Sequence, residues 1–158
     1  MDYSFFNSDF AKASKFQWDF IKNYKSPEKW NLLARQYKHS SFEESLKLKS
    51  KNQIIPKKIH QIWIGPKKLP EHYKKWMETW KIFNPEWEYF LWDEEKIKKI
   101  NLINKSAFNS TTNQGSKSDI ARYEILNKFG GIYLDTDFQC LKSIPDSLLT
   151  FEFVSCIV

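Results

Sequence analysis

The chain has 158 residues, the size of one domain, and 41% of them are hydrophobic. The aromatic residues, including seven tryptophans, exclude a disordered chain of low hydrophobicity. A net charge of +6 suits a phosphate-bearing partner or an anionic membrane face. The lysines are scattered in pairs, however, which is also typical of an ordinary solvated surface.

The two cysteines, Cys140 and Cys156, have neither the spacing of a zinc site nor that of a disulfide framework. No stretch approaches the roughly 18 apolar residues of a membrane span, and no signal peptide is recognisable at the start. We therefore expect a cytoplasmic protein that is soluble or peripheral to the inner face of the membrane.

The first third of the chain is predicted to be helical, from residue 8 to residue 49. In "SPEKWNLLARQYK", Ser26 can cap a helix and Pro27 suits its first position. The character of the sequence changes at Ile54, where β-branched residues begin. We therefore predict an N-terminal helical extension over residues 1–50 and a second domain over residues 54–158.

The second domain shows strand and helix patterns in alternation. In chain order we predict a strand in "IIPKKIHQIWIG", a helix in "LPEHYKKWMETWKIFN", a strand in "WEYFLWD", a helix in "EEKIKKINLIN", a polar loop in "KSAFNSTTNQG", a helix in "SKSDIARYEILNKFGG", and strands in "GIYLDTDF" and "FEFVSCIV". Ser116 is the predicted cap of the last helix and Gly130 its end. This alternation predicts an α/β fold with a mostly parallel sheet.

Asp135 and Asp137 in "GGIYLDTDF" raise the question of a metal site. If the strand continues through them, Tyr133, Asp135 and Asp137 share one face, so two carboxylates converge near its carboxyl end. Oxygen ligands of this kind suit Mg²⁺ or Mn²⁺. A turn that ends the strand and caps its own backbone explains the same residues. The residues alone leave both interpretations open.

Asp119 and Arg122 stand three apart on the predicted helix, close enough to pair. Asp119 suits a capping box as well as a functional role. Arg122 suits a surface salt bridge as well as a bidentate contact to phosphate. Trp63 can be a core residue or a ring that stacks on a nucleobase, and we expect His60 to be structural.

Three stretches together resemble a known family: "IPKKIHQIWIG", "NPEWEYFLWDE" and "SDIARYEILNKFGGIYLDTD". They look like the glycosyltransferases with a DXD sugar-binding region, a group that includes fungal α-1,6-mannosyltransferases, bacterial capsule and lipopolysaccharide transferases and clostridial toxin glucosyltransferase domains. The resemblance runs from about Ile54 to Asp137. It implies a GT-A fold and a metal-dependent, retaining transferase that moves a hexose from a UDP- or GDP-sugar to a glycan, lipid or protein acceptor. Mn²⁺ or Mg²⁺ is the implied metal, and bacterial surface polysaccharide synthesis the implied setting.

The resemblance also implies contacts with the nucleotide. Trp63 would stack on the donor base, and the backbone around Ile62 and Ile64 would contact that base. Tyr133 would line the nucleotide pocket.

The acidic residues and the arginine receive the catalytic roles in the same way. Asp119 and Arg122 would hold the donor sugar hydroxyls, with Arg122 also near the phosphates. Asp135 would bind ribose or sugar and approach the metal. Asp137 would ligate the metal that joins the diphosphate oxygens.

The chain departs from the family after the DXD motif, where only 21 residues follow Asp137 although family members continue further. We therefore expect the C-terminal part of the fold to be missing, which leaves a donor-binding half or a non-catalytic remnant that binds nucleotide-sugar. A nucleic-acid-binding protein is the third hypothesis, prompted by the charge and the rings. Its basic groove interleaved with aromatics is not evident, so we expect no nucleic-acid partner.

Overall fold

The computed structural model describes residues 53–152 together with Leu32, Arg35 and Val154. The chain divides into two units, one of Met1–Lys49 with Phe153–Val158 and the other of Ser50–Glu152, and the fold below is that of the second. Leu32 and Arg35 are helical and exposed. The rest of the predicted N-terminal helices lies outside the described residues, as does most of the predicted last strand.

Ser50–Glu152 contains three strands, four α-helices and a short 3₁₀ helix among its described residues. In chain order they are β1 (Lys58–Ile62), α1 (Glu71–Phe83), β2 (Glu88–Trp92), α2 (Glu94–Lys99), α3 (Lys105–Ser110), α4 (Gln114–Phe129), β3 (Ile132–Tyr133) and the 3₁₀ helix Asp146–Thr150. None of the helices of this described part is long and apolar enough to cross a membrane.

The three strands form one parallel sheet in the order β2-β1-β3. Ile62 pairs with Trp92 on one side of β1, and His60 pairs with Tyr133 on the other. The chain runs from β1 to β2 through α1 and from β2 to β3 through α2, α3 and α4, because parallel pairing requires crossover connections. The predicted α/β class with a parallel sheet is confirmed, and it is consistent with part of a GT-A-like fold.

The main core lies between the sheet and α2, α3 and α4. Its members are apolar residues from both layers: Ile62, Trp92, Ile97, Ile100, Leu102, Phe108, Ala121 and Ile125. Side chains alternate along β1, so His60 and Ile62 face this core while Gln61 faces the opposite side. On that opposite side, Lys81 of α1 lies over the ring of Tyr89 in β2. The sheet therefore has helices on both faces.

Two predictions about local structure are wrong in this region. The polar loop predicted in "KSAFNSTTNQG" contains α3, because Phe108 is buried in the core and holds that turn in place. The cap of α4 is Asn113, which accepts from the amide of Ser116, so Ser116 itself is not the cap. Asp119 consequently lies too deep in the helix to complete a capping box.

Glycines end α4 and bring the chain back to the sheet. Gly130 and Gly131 both have positive φ, at 64° and 85°. A Cβ on Gly131 would lie 2.5 Å from the carbonyl oxygen of Lys58 and 3.1 Å from Nε2 of His60. Glycine is thus required here for both its conformation and its lack of a side chain.

Candidate functional site

The two aspartates of the DXD motif lie where β3 ends. The amide of Leu134 still donates to the carbonyl of His60, but the chain then turns, and the amide of Phe138 donates to the carbonyl of Asp135. Asp137 therefore belongs to a turn, which we call the DXD turn (Asp135–Phe138). The prediction that the strand continues and places both carboxylates on one strand face is wrong, because only Ile132 and Tyr133 pair with β1.

Arg122 of α4 connects the helix to the DXD turn. Its guanidinium donates to Oδ1 of Asp119 at 2.5 Å and lies 3.7 Å from Oδ1 of Asp135. The same guanidinium lies 4.6 Å from the ring centre of Tyr133, in a cation–π contact. A surface salt bridge would explain the first contact alone. The structure instead brings three other predicted site residues, Asp119, Tyr133 and Asp135, together around the guanidinium of Arg122.

Tyr133 holds the side chain of Asp135. Its hydroxyl donates to Oδ1 of that aspartate at 2.8 Å. Burial raises the pKa of Tyr133 above its ordinary value, and the hydrogen bond to the Asp135 carboxylate raises it further. The phenol therefore stays protonated at neutral pH and remains a donor to Asp135.

Arg122 keeps a hydrogen-bond donor unused. Its Nε is buried and has no hydrogen-bond partner among the described residues. The side chain as a whole is only 29% exposed. A buried donor without an acceptor is costly, and such groups commonly accompany a bound ligand or water. Nε of Arg122 is therefore a donor that an acceptor atom of a ligand would satisfy.

Asp137 is exposed and makes no hydrogen bond or ion pair with any residue that the structure describes. Its oxygens, and the second oxygen of Asp135, suit Mg²⁺ or Mn²⁺ chemically. No group of three or more acidic, histidine or cysteine side chains able to hold a metal occurs within the described residues. Mg²⁺ is often bound by one or two carboxylates plus substrate phosphates, so this donor set fits a metal shared with a nucleotide diphosphate.

Trp63 follows β1 directly and is only partly buried. Its indole N–H donates to the carbonyl of Lys67, and its ring meets that of Tyr73 edge-on at 5.9 Å. Ile62 and Ile64 instead pack in or against the core. Trp63 thus lies outside the main core, and its predicted stacking on a base stays a prediction.

His60 is structural, as expected. It is fully buried, its Nδ1 accepts from the indole of Trp92, and its Nε2 lies 3.0 Å from the carbonyl of Gly130. Because the indole can only donate, Nδ1 is unprotonated and Nε2 carries the proton that Gly130 accepts. His60 thereby ties β1 to β2 and to the end of α4.

Sequence reasoning missed Gln61 and Tyr89, which a chain of hydrogen bonds connects to the backbone of the DXD turn. Gln61 is fully buried and donates from Nε2 to the carbonyl oxygen of Asp135 at 2.9 Å. Tyr89 of β2 donates to Oε1 of Gln61. A glutamine inside the apolar run "KIHQIWI" was the available signal, because a buried amide needs partners.

Comparison with known proteins places these residues in a family. Residues 70–154, more than half of the chain, match the model of the glycosyltransferase sugar-binding region containing the DXD motif. The chain belongs to this glycosyltransferase family. The match includes Asp119, Arg122, Tyr133 and both aspartates of the motif, whereas Trp63 precedes it.

Three curated proteins that are similar to this chain are named as glycosyltransferases or mannosyltransferases. Inositol phosphoceramide mannosyltransferase 1 of Schizosaccharomyces pombe is 33% identical over 107 residues, covering 63% of this chain and 33% of the relative. An uncharacterized glycosyltransferase of Acanthamoeba polyphaga mimivirus is 35% identical over 109 residues, covering 65% and 43%. The initiation-specific alpha-1,6-mannosyltransferase of Candida albicans is 25% identical over 146 residues, covering 84% and 35%.

The chain therefore covers from 33% to 43% of the length of these relatives. No solved structure matches it significantly. The resemblance read from the three sequence blocks is confirmed at the level of the family.

Proposed function

We propose that this chain binds the donor of a metal-dependent, retaining glycosyltransferase that moves a hexose from a UDP- or GDP-sugar to an acceptor. The observation that carries the proposal is the cluster around Arg122, which joins Asp119, Tyr133 and Asp135 at the end of β3. Ligands of parallel α/β sheets bind at that end of the strands.

The charges of the cluster match the groups of a nucleotide-sugar. Arg122 has a buried, unpartnered Nε that a phosphate or hydroxyl oxygen would satisfy. The Asp119 side chain is 59% exposed, so its carboxylate can also accept from sugar hydroxyls. Asp119, Arg122, Asp135 and Asp137 are thus the proposed catalytic and sugar-binding residues.

Asp137, and secondarily Asp135, are the proposed ligands of Mn²⁺ or Mg²⁺. A divalent ion at this place would stabilise the negative charge that grows on the leaving nucleoside diphosphate. Tyr133 donates to Oδ1 of Asp135, so Oδ2 is the oxygen that would bind the ion. The protein's own contribution is to orient these carboxylates and to supply the positive charge of Arg122.

The names of the relatives indicate which donor sugar and which acceptor to test first. Two of those described are named as mannosyltransferases, and one of these names inositol phosphoceramide. We therefore propose mannose as the first hexose to test and a lipid-linked inositol phosphate as the first acceptor, beside glycan and protein acceptors. The role in bacterial surface polysaccharide synthesis, the cytoplasmic location and the peripheral membrane contact stay predictions.

Calorimetric titration and thermal unfolding, both with UDP- and GDP-hexoses, test the proposal. With Mn²⁺ present, we expect one of these donors to bind and to raise the melting temperature. Asp137→Ala should abolish the rise, because Asp137 is the proposed metal ligand. Asp146→Ala is the matched control, since Asp146 lies in the 3₁₀ helix and pairs with Lys57. Absence of any shift with every donor would refute the proposed function for this chain.

Donor hydrolysis separates catalysis from binding. A chain that only binds the donor will show the thermal shift without releasing free sugar. A chain that also carries the chemistry will release sugar slowly from the bound donor, and Arg122→Met will abolish that release.

A further inference from the structure

We infer that Gln61 and Tyr89 are positioning residues that hold the DXD turn from the far side of the sheet. Tyr89 lies on β2, Gln61 on β1, and Asp135 just beyond β3, so the contacts cross all three strands. Neither residue hydrogen-bonds to a side chain of the cluster around Arg122. Gln61 bonds to the backbone of Asp135, and Tyr89 bonds to Gln61.

The bond from Tyr89 to Gln61 and the bond from Gln61 to the carbonyl of Asp135 form a relay. The donor and the acceptor of each bond can be assigned. The carbonyl oxygen of Asp135 can only accept, so the group of Gln61 that lies 2.9 Å from it is the amide nitrogen. Oε1 of Gln61 therefore faces Tyr89, whose hydroxyl donates to it at 2.5 Å. Every polar atom of the relay has one defined role, which leaves a single arrangement of the amide.

The anchored carbonyl is also the one that closes the DXD turn. It accepts from the amide of Phe138 at 3.2 Å as well as from Gln61. The peptide after Asp135 is thus held on the Gln61 side, while the Asp135 side chain is held by Tyr133 on the opposite side. Clamping both parts of Asp135 limits the directions in which Asp137, two residues later, can lie.

Burial makes the relay costly to break. Gln61 is fully buried, and Tyr89 is partly buried beneath Lys81. Burial raises the pKa of Tyr89, and the nearby Glu78 carboxylate raises it further, so the phenol remains a donor. A hydrogen-bonded pair inside a sheet stabilises a single geometry more than it adds net stability.

The alternative is that Gln61 only satisfies a buried carbonyl and has no bearing on the metal-binding turn. Stability alone cannot separate the two, because both roles predict destabilised variants. A metal-dependent readout can, since a merely structural residue would weaken nucleotide binding equally with and without Mn²⁺. This inference rests on the proposed function for that readout only.

Three variants isolate the bond to Asp135. Gln61→Met keeps the volume and removes both polar contacts. Tyr89→Phe leaves Gln61 its donor to Asp135 but frees its oxygen. The double variant removes both partners of the Tyr89–Gln61 bond, which should recover part of the lost stability. Ile125→Val, a conservative change in the core on α4, is the control for general destabilisation.

Amide hydrogen exchange tests the positioning without any ligand. In Gln61→Met and in the double variant, we expect the amide of Phe138 to exchange about tenfold faster, the scale of one lost hydrogen bond. The amide of Trp63, which donates to the carbonyl of Trp92, serves as an internal reference. Unchanged exchange at Phe138, or the same increase in Ile125→Val, would overturn the inference.

Nucleotide binding then tests the consequence for the metal. The measured quantity is the ratio of the UDP or GDP dissociation constants without and with Mn²⁺. We expect Gln61→Met and the double variant to reduce this ratio about tenfold, as changes behind metal ligands typically do, and Ile125→Val to leave it unchanged. An equal loss with and without Mn²⁺ would assign Gln61 a structural role. Failure of the unmodified chain to bind any nucleotide would instead refute the proposed function, and the exchange result would still decide whether Gln61 positions the turn.

Discussion

Trp92 donates its indole N–H to Nδ1 of His60 across 3.1 Å, and this contact requires a neutral histidine. Protonation of Nδ1 would place two donors face to face inside the core. Burial lowers the pKa of His60 from its ordinary value of 6.5, although the bond to Gly130 acts in the opposite direction. The histidine therefore links the stability of the sheet to pH.

We expect the free energy of unfolding to fall as the pH drops below about 6.5. The folded pKa of His60 is lowered, so the unfolded chain binds more protons in this range, and the contribution present above pH 6.5 is lost on acidification. The loss approaches about 1.4 kcal/mol per pH unit for one proton. Urea unfolding between pH 8 and pH 5.5 measures it, and His60→Gln should flatten the slope. A slope that persists in that variant would contradict the assignment.

Gly131→Ala should destabilise the protein by at least about 2 kcal/mol, because φ is positive there and the new Cβ would meet the Lys58 backbone. Thermal unfolding measures the effect. Gly115→Ala is the matched control, since that glycine lies in α4 and the nearest contact of its Cβ is a side-chain oxygen. Alanine is favoured over glycine in a helix by about 1 kcal/mol, which should offset the contact with that oxygen, so the net change should stay within about 1 kcal/mol. Similar costs for both variants would show that the close approach at Gly131 can relax.

Glu124→Leu should cost about 3 kcal/mol, because three donors lose their acceptor. The Glu124 carboxylate is buried and accepts from the amides of Ile103 and Asn104 and from the side chain of Asn104. Burial raises its pKa, but these hydrogen bonds outweigh burial and lower it. Glu124→Gln keeps one acceptor oxygen and should be milder. Chemical unfolding of the two variants compares them, and equal costs would count against the hydrogen-bonding explanation.

Arg122→Lys should weaken binding of the nucleotide-sugar about tenfold or more, although the positive charge is kept. A lysine cannot reproduce the planar contact with Tyr133 together with the donors directed at Asp119 and Asp135. Calorimetric titration with whichever UDP- or GDP-hexose binds the unmodified chain measures the loss. Lys128→Met removes a charge at the end of the same helix and should change the affinity little. Equal losses would indicate general electrostatic attraction instead of a specific site.

Elements whose signals are local along the chain could be predicted from the amino-acid sequence. Apolar strand residues located β1 and β2, Asn84-Pro85 marked the end of α1, and Gly130 marked the end of α4. It also identified the family, because three separated blocks resembled one group of enzymes and residues 70–154 match that family's model. Such signals depend on neighbours along the chain, so they can be read without the fold.

The positions of the DXD aspartates, and the contacts that hold them, depend on the folded structure. A strand pattern cannot show that pairing with β1 stops at Tyr133, because that limit is set by a strand more than 70 positions away. Burial of Phe108 in the distant core turned a polar stretch into α3 in the same way. The bonds of Gln61 to Tyr89 and Asp135 join residues 28 and 74 positions apart. Contacts over such separations form only when the chain has folded, so the spacing of residues along the sequence does not predict them.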